Sequence, residues 1–358
     1  MLLYIHIPFC ASKCGYCAFN SVLDSQEIYL AYVEALCEDI SASLQRYEVA
    51  QGEVRSVFIG GGTPNILPAG YYERIFESFC GYVSGDCEIS IESNVNLITH
   101  DWCACLRRLG ANRISVGVQS FESSKLTFLE RDHSVHDIFG AFESIQRAGF
   151  SNISCDMIYD TPLDSVQSLE SEYANLAKLP LSHISAYSLS IDEGSRFSTK
   201  GVSVREQSLC YEVREILGAL GFGQYEVSNY TKGEAYCRHN LGYWEGREYI
   251  GCGAGAFGRV GSARVRAPNS PRTYIANPHF RTQENLRLED LNLEAIMLGL
   301  RCKSGVRYEL VRSAANLTML LDSSKVMKVA RVDSQGTQGE YIIASDVFLA
   351  DELAMWLS

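Results

Sequence analysis

Apolar and polar positions fall into two rhythms along the chain. Up to residue 190, short apolar runs rich in Ile and Val at 2–7, 54–59, 88–92, 113–118, 153–158 and 184–190 have the length of buried strands. Between them, segments ending near 46, 79, 109, 148 and 176 carry apolar residues at helical spacing, and Asp24 or Ser25 is placed to cap the first. Strand alternating with helix implies a parallel sheet with helical crossovers. Six such units predict an α/β fold, a partial (β/α)6 barrel whose functional groups gather at the C-terminal ends of its strands. Past residue 190 the rhythm changes. A helix at 205–220 leads into a glycine- and aromatic-rich region at 224–267, and from 291 onward two helices, two short strands (326–332 and 341–344) and a last helix predict a smaller α+β domain. The expected division is 1–222 for the barrel and 223–358 for the rest.

Composition narrows the function. The chain has 358 residues, 46% hydrophobic and 21% charged, which is ample for a large core and one accessory unit. A formal charge of −12 argues against wrapping nucleic acid, so a winged-helix-like cap is read as a packing element. No apolar run is long enough to span a bilayer. Residues 1–9 lack a basic region and are interrupted by His6 and Pro8, so no signal peptide is expected. A cytoplasmic protein, with peripheral membrane contact at most, is the expectation. Thirteen cysteines is a high count, but ten are scattered among apolar neighbours and read as small buried hydrophobes.

The other three form Cys10-Ala-Ser-Lys-Cys14-Gly-Tyr-Cys17. Thiolates suit zinc or iron–sulfur iron. A closed structural zinc site needs four ligands and the run supplies three, whereas a cube held by three thiolates keeps one iron open. Three unrelated cysteines remain the bland alternative. Further candidates fall at strand ends. Gly60-Gly61-Gly62-Thr63-Pro64 leaves backbone groups open to a ligand, or is simply a tight turn. Glu92 ends an apolar strand, where an unpaired carboxylate is costly. Arg131 suits a carboxylate as a planar two-pronged donor, with an internal ion pair to Glu92 or Asp156 as the competing reading. In His239-Asn240-Leu-Gly-Tyr243-Trp244, the histidine has the chemistry of an axial heme ligand and the aromatics could stack on a porphyrin. A capped loop with core aromatics explains the same string.

The flanks of the cysteine run, Tyr4-Ile-His-Ile-Pro-Phe9 before and Ala18-Phe19-Asn20 after, resemble the cluster loop of the radical S-adenosylmethionine (SAM) enzymes. Within them the chain is most similar to the oxygen-independent coproporphyrinogen III oxidase family and its HemW-type heme-chaperone relatives. That resemblance implies a [4Fe–4S] cluster on Cys10, Cys14 and Cys17 whose open iron chelates SAM, the source of a 5′-deoxyadenosyl radical. It implies SAM binding by Gly61, Gly62 and Thr63 of the GGGTP run, by Glu92 in ESN, Gln119 in SVGVQSF, Arg131 in LERDH and Asp156 in DMIYD. Tyr4 and Tyr16 carry over too, with aromatic packing as the alternative. It further implies heme at His239, Asn240, Tyr243 and Trp244. Departures are Val95 where the family usually has proline, Asp160-Thr161 where Gly-Leu is common, and Ser195 where threonine is usual.

Two branches follow from the resemblance. One is a chaperone that holds heme and transfers it to an acceptor protein, served by an electron donor such as flavodoxin, ferredoxin or an NADH-linked reductant. The other is the oxidase, which decarboxylates two propionates of coproporphyrinogen III. The oxidase pattern has a further cysteine two places after the third, where this chain has Phe19, and an N-terminal extension for which Cys10 leaves little room. Both features and the HNxxYW string favour the chaperone.

Overall fold

The computed structural model describes residues 1–23, 25–332 and 336–358. Six strands alternate with helices as the pattern predicts. They are β1 (Leu2–Ile7), α1 (Tyr29–Arg46), β2 (Val54–Gly61), α2 (Ala69–Glu77), β3 (Val83–Asn94), α3 (His100–Leu109), β4 (Arg113–Gln119), α4 (Val135–Arg147), β5 (Asn152–Tyr159), α5 (Val166–Tyr173) and β6 (His183–Ser188). Neighbouring strands pair in parallel from β1 to β6 in sequence order, which is the expected barrel topology. Their side chains are buried on both faces, as parallel strands between helices require. Helix boundaries follow local chemistry. Thr99 accepts the Trp102 N–H at the start of α3, and Ser134 with Asp137 forms a capping box on α4. Of the two expected caps of α1, Asp24 lies outside the described residues. Ser25 makes no side-chain cap bond, and a short 3-10 turn (Gln26–Ile28) precedes the α-helix.

The sheet then extends in both directions with strands drawn from the glycine- and aromatic-rich region. After α6 (Cys210–Ala219), β7 (Asn229–Thr231) pairs antiparallel with β6. After α7 (Arg238–Trp244), β8 (Tyr249–Cys252) pairs parallel with β1, making a seventh parallel strand. Then β9 (Phe257–Val260), β10 (Ala263–Arg266) and β11 (Thr282–Asn285) continue as antiparallel neighbours. The division expected at residues 222 and 223 therefore runs through one twelve-stranded sheet, and Ile250, Cys252, Ala254 and Tyr274 belong to the same core as β1. A smaller second core holds α8 (Leu288–Leu300), α9 (Ala314–Asp322), β12 (Val326–Val332), β13 (Gln338–Ala344) and α10 (Ala350–Leu357) around Ile296, Leu317, Ile342 and Leu353. Among the described residues no helix is long and apolar enough to cross a membrane.

One buried charge cluster fixes the loops beyond β4 and β5. Lys125, 2% exposed, contacts Asp164 at 2.8 Å and Glu172 at 3.1 Å. Glu172 also accepts the Phe121 N–H, and Asp164 accepts the N–H and hydroxyl of Thr161. A buried ammonium is tolerable only with such full pairing. The same contacts hold the chain directly after Gln119 and Tyr159, at the end of the barrel where the candidate residues lie.

Candidate cluster and cofactor site

The cysteine run leaves β1 and crosses the C-terminal end of the sheet. It is clamped on three sides. The Gly62 N–H donates to Ile7 O and the Thr63 N–H to Phe9 O, both at 2.8 Å, while the Thr63 hydroxyl donates to Cys10 Sγ at 3.4 Å. A Cβ on Gly62 would stand 2.7 Å from Phe9 O and 2.9 Å from Cys10 Sγ, so only glycine allows this approach. Gly61 has φ of 117°, in the left-handed region, and its N–H points to Glu92 Oε2 at 3.1 Å. On the far side the Phe197 N–H donates to Gly15 O at 2.9 Å. Where the loop leaves, the Asn20 amide donates to Ala254 O and Asn269 O, and its carbonyl takes the Nε2–H of His6 at 2.8 Å. A carbonyl only accepts, so His6 Nδ1 must accept the Tyr4 hydroxyl at 2.9 Å. Burial lowers the His6 pKa, in keeping with a neutral ring in this chain of bonds.

A cavity of about 350 Å³ opens over this loop. Cys10, Cys14, Cys17 and Tyr16 line it on the loop side, and Gly61, Gly62, Thr63, Glu92, Gln119, Arg131 and Asp156 line it from the strand ends. Of the residues assigned to cluster and SAM, Tyr4 alone lies outside it, in an adjoining cavity. Arg131 donates to Cys14 Sγ at 3.1 Å, Asn94 Oδ1 at 3.0 Å and Gly117 O at 2.9 Å. Its Nε is buried without a hydrogen bond, and it forms no ion pair with Glu92 or Asp156 among the described residues. The internal-pair reading is thereby set aside, and a cation stands beside a cysteine sulfur. Gln119 has φ of 67°, a strained backbone for a residue other than glycine, at a register shift between β4 and β5. Desolvation, then the neighbouring Asp156 carboxylate, pushes Glu92 up to about 7. Desolvation also raises Asp156, which accepts the Ser115 hydroxyl.

The donor set fits a three-thiolate cluster with one open position. Burial raises the Cys10 and Cys17 thiols, so they need a cationic centre to become the thiolates that bind metal. Among the described residues no three His, Cys, Asp or Glu side chains are drawn together around a single metal ion.

A larger cavity of about 930 Å³ adjoins the first and shares Ala18, Phe19, Gly61 and Glu92 with it. The four residues of the HNxxYW string are placed differently with respect to it. Tyr243 lines it, together with Tyr4 and Tyr249. His239 is fully buried in α7, its Nδ1 bonded to the Ser56 hydroxyl at 2.8 Å and its Nε2 to the Tyr243 hydroxyl at 2.9 Å. Desolvation, with Arg113 nearby, pushes its pKa down to about 3, so the ring is neutral. Trp244 turns to a separate cavity of about 170 Å³, and Asn240 lines neither.

Sequence reasoning missed the opposite wall. Phe257 and Arg259 on β9 and Arg264 and Arg266 on β10 all line the larger cavity. Their spacing is the signal: alternate residues of a strand share a face, and Phe-x-Arg and Arg-x-Arg flank the turn at Gly261.

Comparison with known proteins places these observations. Residues 4–173 match the model of the Radical SAM superfamily. Over 319 residues the chain is 32% identical to the heme chaperone HemW of Lactococcus lactis, covering 86% of this chain and 83% of that one. It is also 32% identical to the heme chaperone HemW of Escherichia coli over 308 residues, 82% of this chain and 81% of that one. In structure it resembles the coproporphyrinogen III oxidase HemN of Escherichia coli, a radical SAM enzyme, with a TM-score of 0.78 at 21% identity, covering 99% of this chain and 89% of that one.

Proposed function

The chain belongs to the radical SAM superfamily, and within it to the family of its HemW relatives, and from that membership we propose that it is a cytoplasmic heme chaperone. In this reading Cys10, Cys14 and Cys17 hold a [4Fe–4S] cluster, and Gly61, Gly62, Thr63, Glu92, Gln119, Arg131 and Asp156 hold SAM over its open iron. When bound, the cluster and SAM supply one-electron chemistry at the sulfonium. The chain's own residues do the rest. Arg131 sets a positive charge against Cys14 and offers its remaining donor to a ligand carboxylate. Glu92 presents an acceptor to ribose hydroxyls or to the positive charge of the ligand. The loop clamps at Thr63 and Asn20 keep the three cysteines over the strand ends.

The observation that carries the chaperone reading is Phe19. It is 72% exposed, stands where both cavities meet, and occupies the place at which the oxidase pattern has its additional cysteine. A large apolar side chain at that junction suits a partition between cofactor and a second, large ligand. Heme is that ligand in the proposal, received in the larger cavity and passed to an acceptor protein, with a flavodoxin, ferredoxin or NADH-linked reductase keeping the cluster reduced. The HNxxYW string takes part through the Tyr243 wall, with His239 positioned behind it.

Supplying anaerobic, cluster-loaded protein with coproporphyrinogen III, SAM and a strong reductant tests the choice of branch. The porphyrinogen should remain unchanged over hours. Vinyl-bearing product accumulating with turnover would replace the chaperone reading by the oxidase.

A further inference from the structure

The wall opposite Tyr243 has an unusual charge arrangement. The chain as a whole is strongly acidic, with a formal charge of −12, yet Arg247, Arg259, Arg264 and Arg266 converge on this one cavity. Two of them are neutralised. Arg247 pairs with Glu245 at 2.9 Å, and Arg264 pairs with Glu284 at 3.3 Å and with Glu294. The other two have no carboxylate partner among the described residues. Arg259 spends donors on the carbonyls of Gly246, Arg247 and Gly261. Arg266 stands over the Phe257 ring at 4.7 Å, and its Nε is buried with no hydrogen bond.

Register sharpens the point. Arg259 lies directly across from Arg264, and Phe257 directly across from Arg266. Like charges directly opposite on antiparallel strands destabilise the pair. Here Glu284 and Glu294 offset the charge of Arg264, which leaves Arg259 and Arg266 as the arginines on this cavity without a carboxylate partner among the described residues. Arg259 and Arg266 are diagonal neighbours, whose separation on a sheet is about 7–8 Å. The α8 side presents an apolar stripe beside Glu294, whose carboxylate is taken up by Arg264. Leu291, Ala295 and Leu298 of α8 share one helical stripe on the cavity, and Met297 is 40% exposed beside them.

A cavity lined by an apolar helical stripe, by the rings of Tyr4, Tyr243, Tyr249 and Phe257 and by two guanidiniums without carboxylate partners among the described residues is complementary to a flat apolar ligand bearing two adjacent carboxylates. Resting on the heme reading above, we propose that the β9–β10 hairpin is the carboxylate clamp of the heme seat, with Arg259 and Arg266 receiving the two propionates and the α8 stripe covering the macrocycle. The orientation follows. The propionate edge lies against the hairpin, and the opposite edge points toward Tyr4, Glu92 and Phe19, the side of the cluster cavity. The residues that fix the ligand are thus not the HNxxYW string alone but an arginine pair some twenty residues further along the chain.

Equilibrium titration of the full chain, anaerobic and cluster-loaded, with heme and with heme dimethyl ester tests this. Esterification removes both carboxylate charges without altering the protein. Heme should bind about tenfold or more tightly than the ester, as loss of charge-assisted hydrogen bonds implies. Arg266→Gln, whose parent side chain has no buried hydrogen bond to lose, should shrink that preference several-fold, with the ester's own affinity unchanged. If heme and ester bind equally, or if Arg266→Gln keeps the full preference, the clamp is wrong while heme binding stands. If neither porphyrin binds saturably, the heme reading itself fails and the clamp with it.

Discussion

Alanine at Cys10, Cys14 or Cys17 is expected to take anaerobically reconstituted protein from about four irons per chain to essentially none, with loss of the charge-transfer absorption of thiolate-bound iron. Each cysteine is one of three anchors, and two thiolates leave half of a cube's irons without a protein ligand. Alanine at Cys103 or Cys252 should leave the iron count at the parent's value. Both thiols are fully buried in the main apolar core, remote from the cavity lining. Iron and sulfide analysis with absorption spectra decides it. Iron retained in all three variants, or stoichiometric zinc in the parent, would remove the cluster from the account.

The second large effect concerns Glu92. Its carboxyl is held up to about 7 by desolvation and by Asp156. A folded-state value above the usual carboxylate range means that the site favours the protonated acid. The corresponding contribution to folding is fully present below the ordinary pKa and is lost as pH rises toward about 7. A ligand bearing the fixed positive charge of a sulfonium favours the ionised form instead. SAM affinity should therefore increase about fivefold between pH 6 and pH 7, because the ionised fraction of a group titrating near 7 grows by that factor. Glu92→Gln should abolish that dependence, lower affinity about tenfold at neutral pH, and leave the iron content intact. Calorimetric titration at several pH values reads both effects. An unchanged pH profile in the variant would show that Glu92 does not face the ligand. Arg131 is the less selective probe, since its guanidinium also donates to Cys14 Sγ, and its alanine variant would disturb cluster and cofactor together.

Much of the barrel was legible because its strands are long, doubly buried and separated by helices of clear periodicity. Strand β5, for example, is buried along most of its length, with Ile153, Cys155, Met157 and Tyr159 on one face. What escaped was the sheet's extension. Strands β8, β9 and β10 are four residues each and interrupted by Gly251, Gly253, Gly255 and Gly258, so no apolar run marks them. Strand β8 owes its place to pairing with β1, a contact between residues about 250 apart in sequence that local pattern does not encode, and β9 and β10 follow it in turn. The candidate residues Gly61, Glu92 and Gln119 were visible because they fall at or near strand ends, a position dictated by topology, while Asp156 lies within β5 and Arg131 in the loop before α4. His239 was singled out by the HNxxYW string and not by a strand end. The imidazole sits in a helix that packs beneath β1 and β2, beside the rings of Tyr4 and Phe58 at 6.5 and 5.3 Å, and its partner Ser56 lies on β2. A ring with both nitrogens already satisfied is a support for Tyr243 in this conformation, and only the packing reveals it.

The arginine hairpin illustrates a different limit. Four arginines within twenty residues read as solvated charge until the register places them on one face of a cavity. Two are paired with glutamates and two have no carboxylate partner among the described residues, a distinction that exists only in three dimensions.

The central claim is that one chain holds a cluster and a heme in two adjoining chambers. Its most direct test is titration of anaerobic, cluster-loaded protein with heme, following the Soret band together with the paramagnetic signal of the reduced cluster. The account predicts saturation at about one heme per chain, with iron beyond the heme staying at about four per chain. It also predicts a perturbed cluster signal on heme binding, because Phe19, Gly61 and Glu92 border both chambers. Heme that fails to saturate, or that displaces the cluster as it binds, would contradict it.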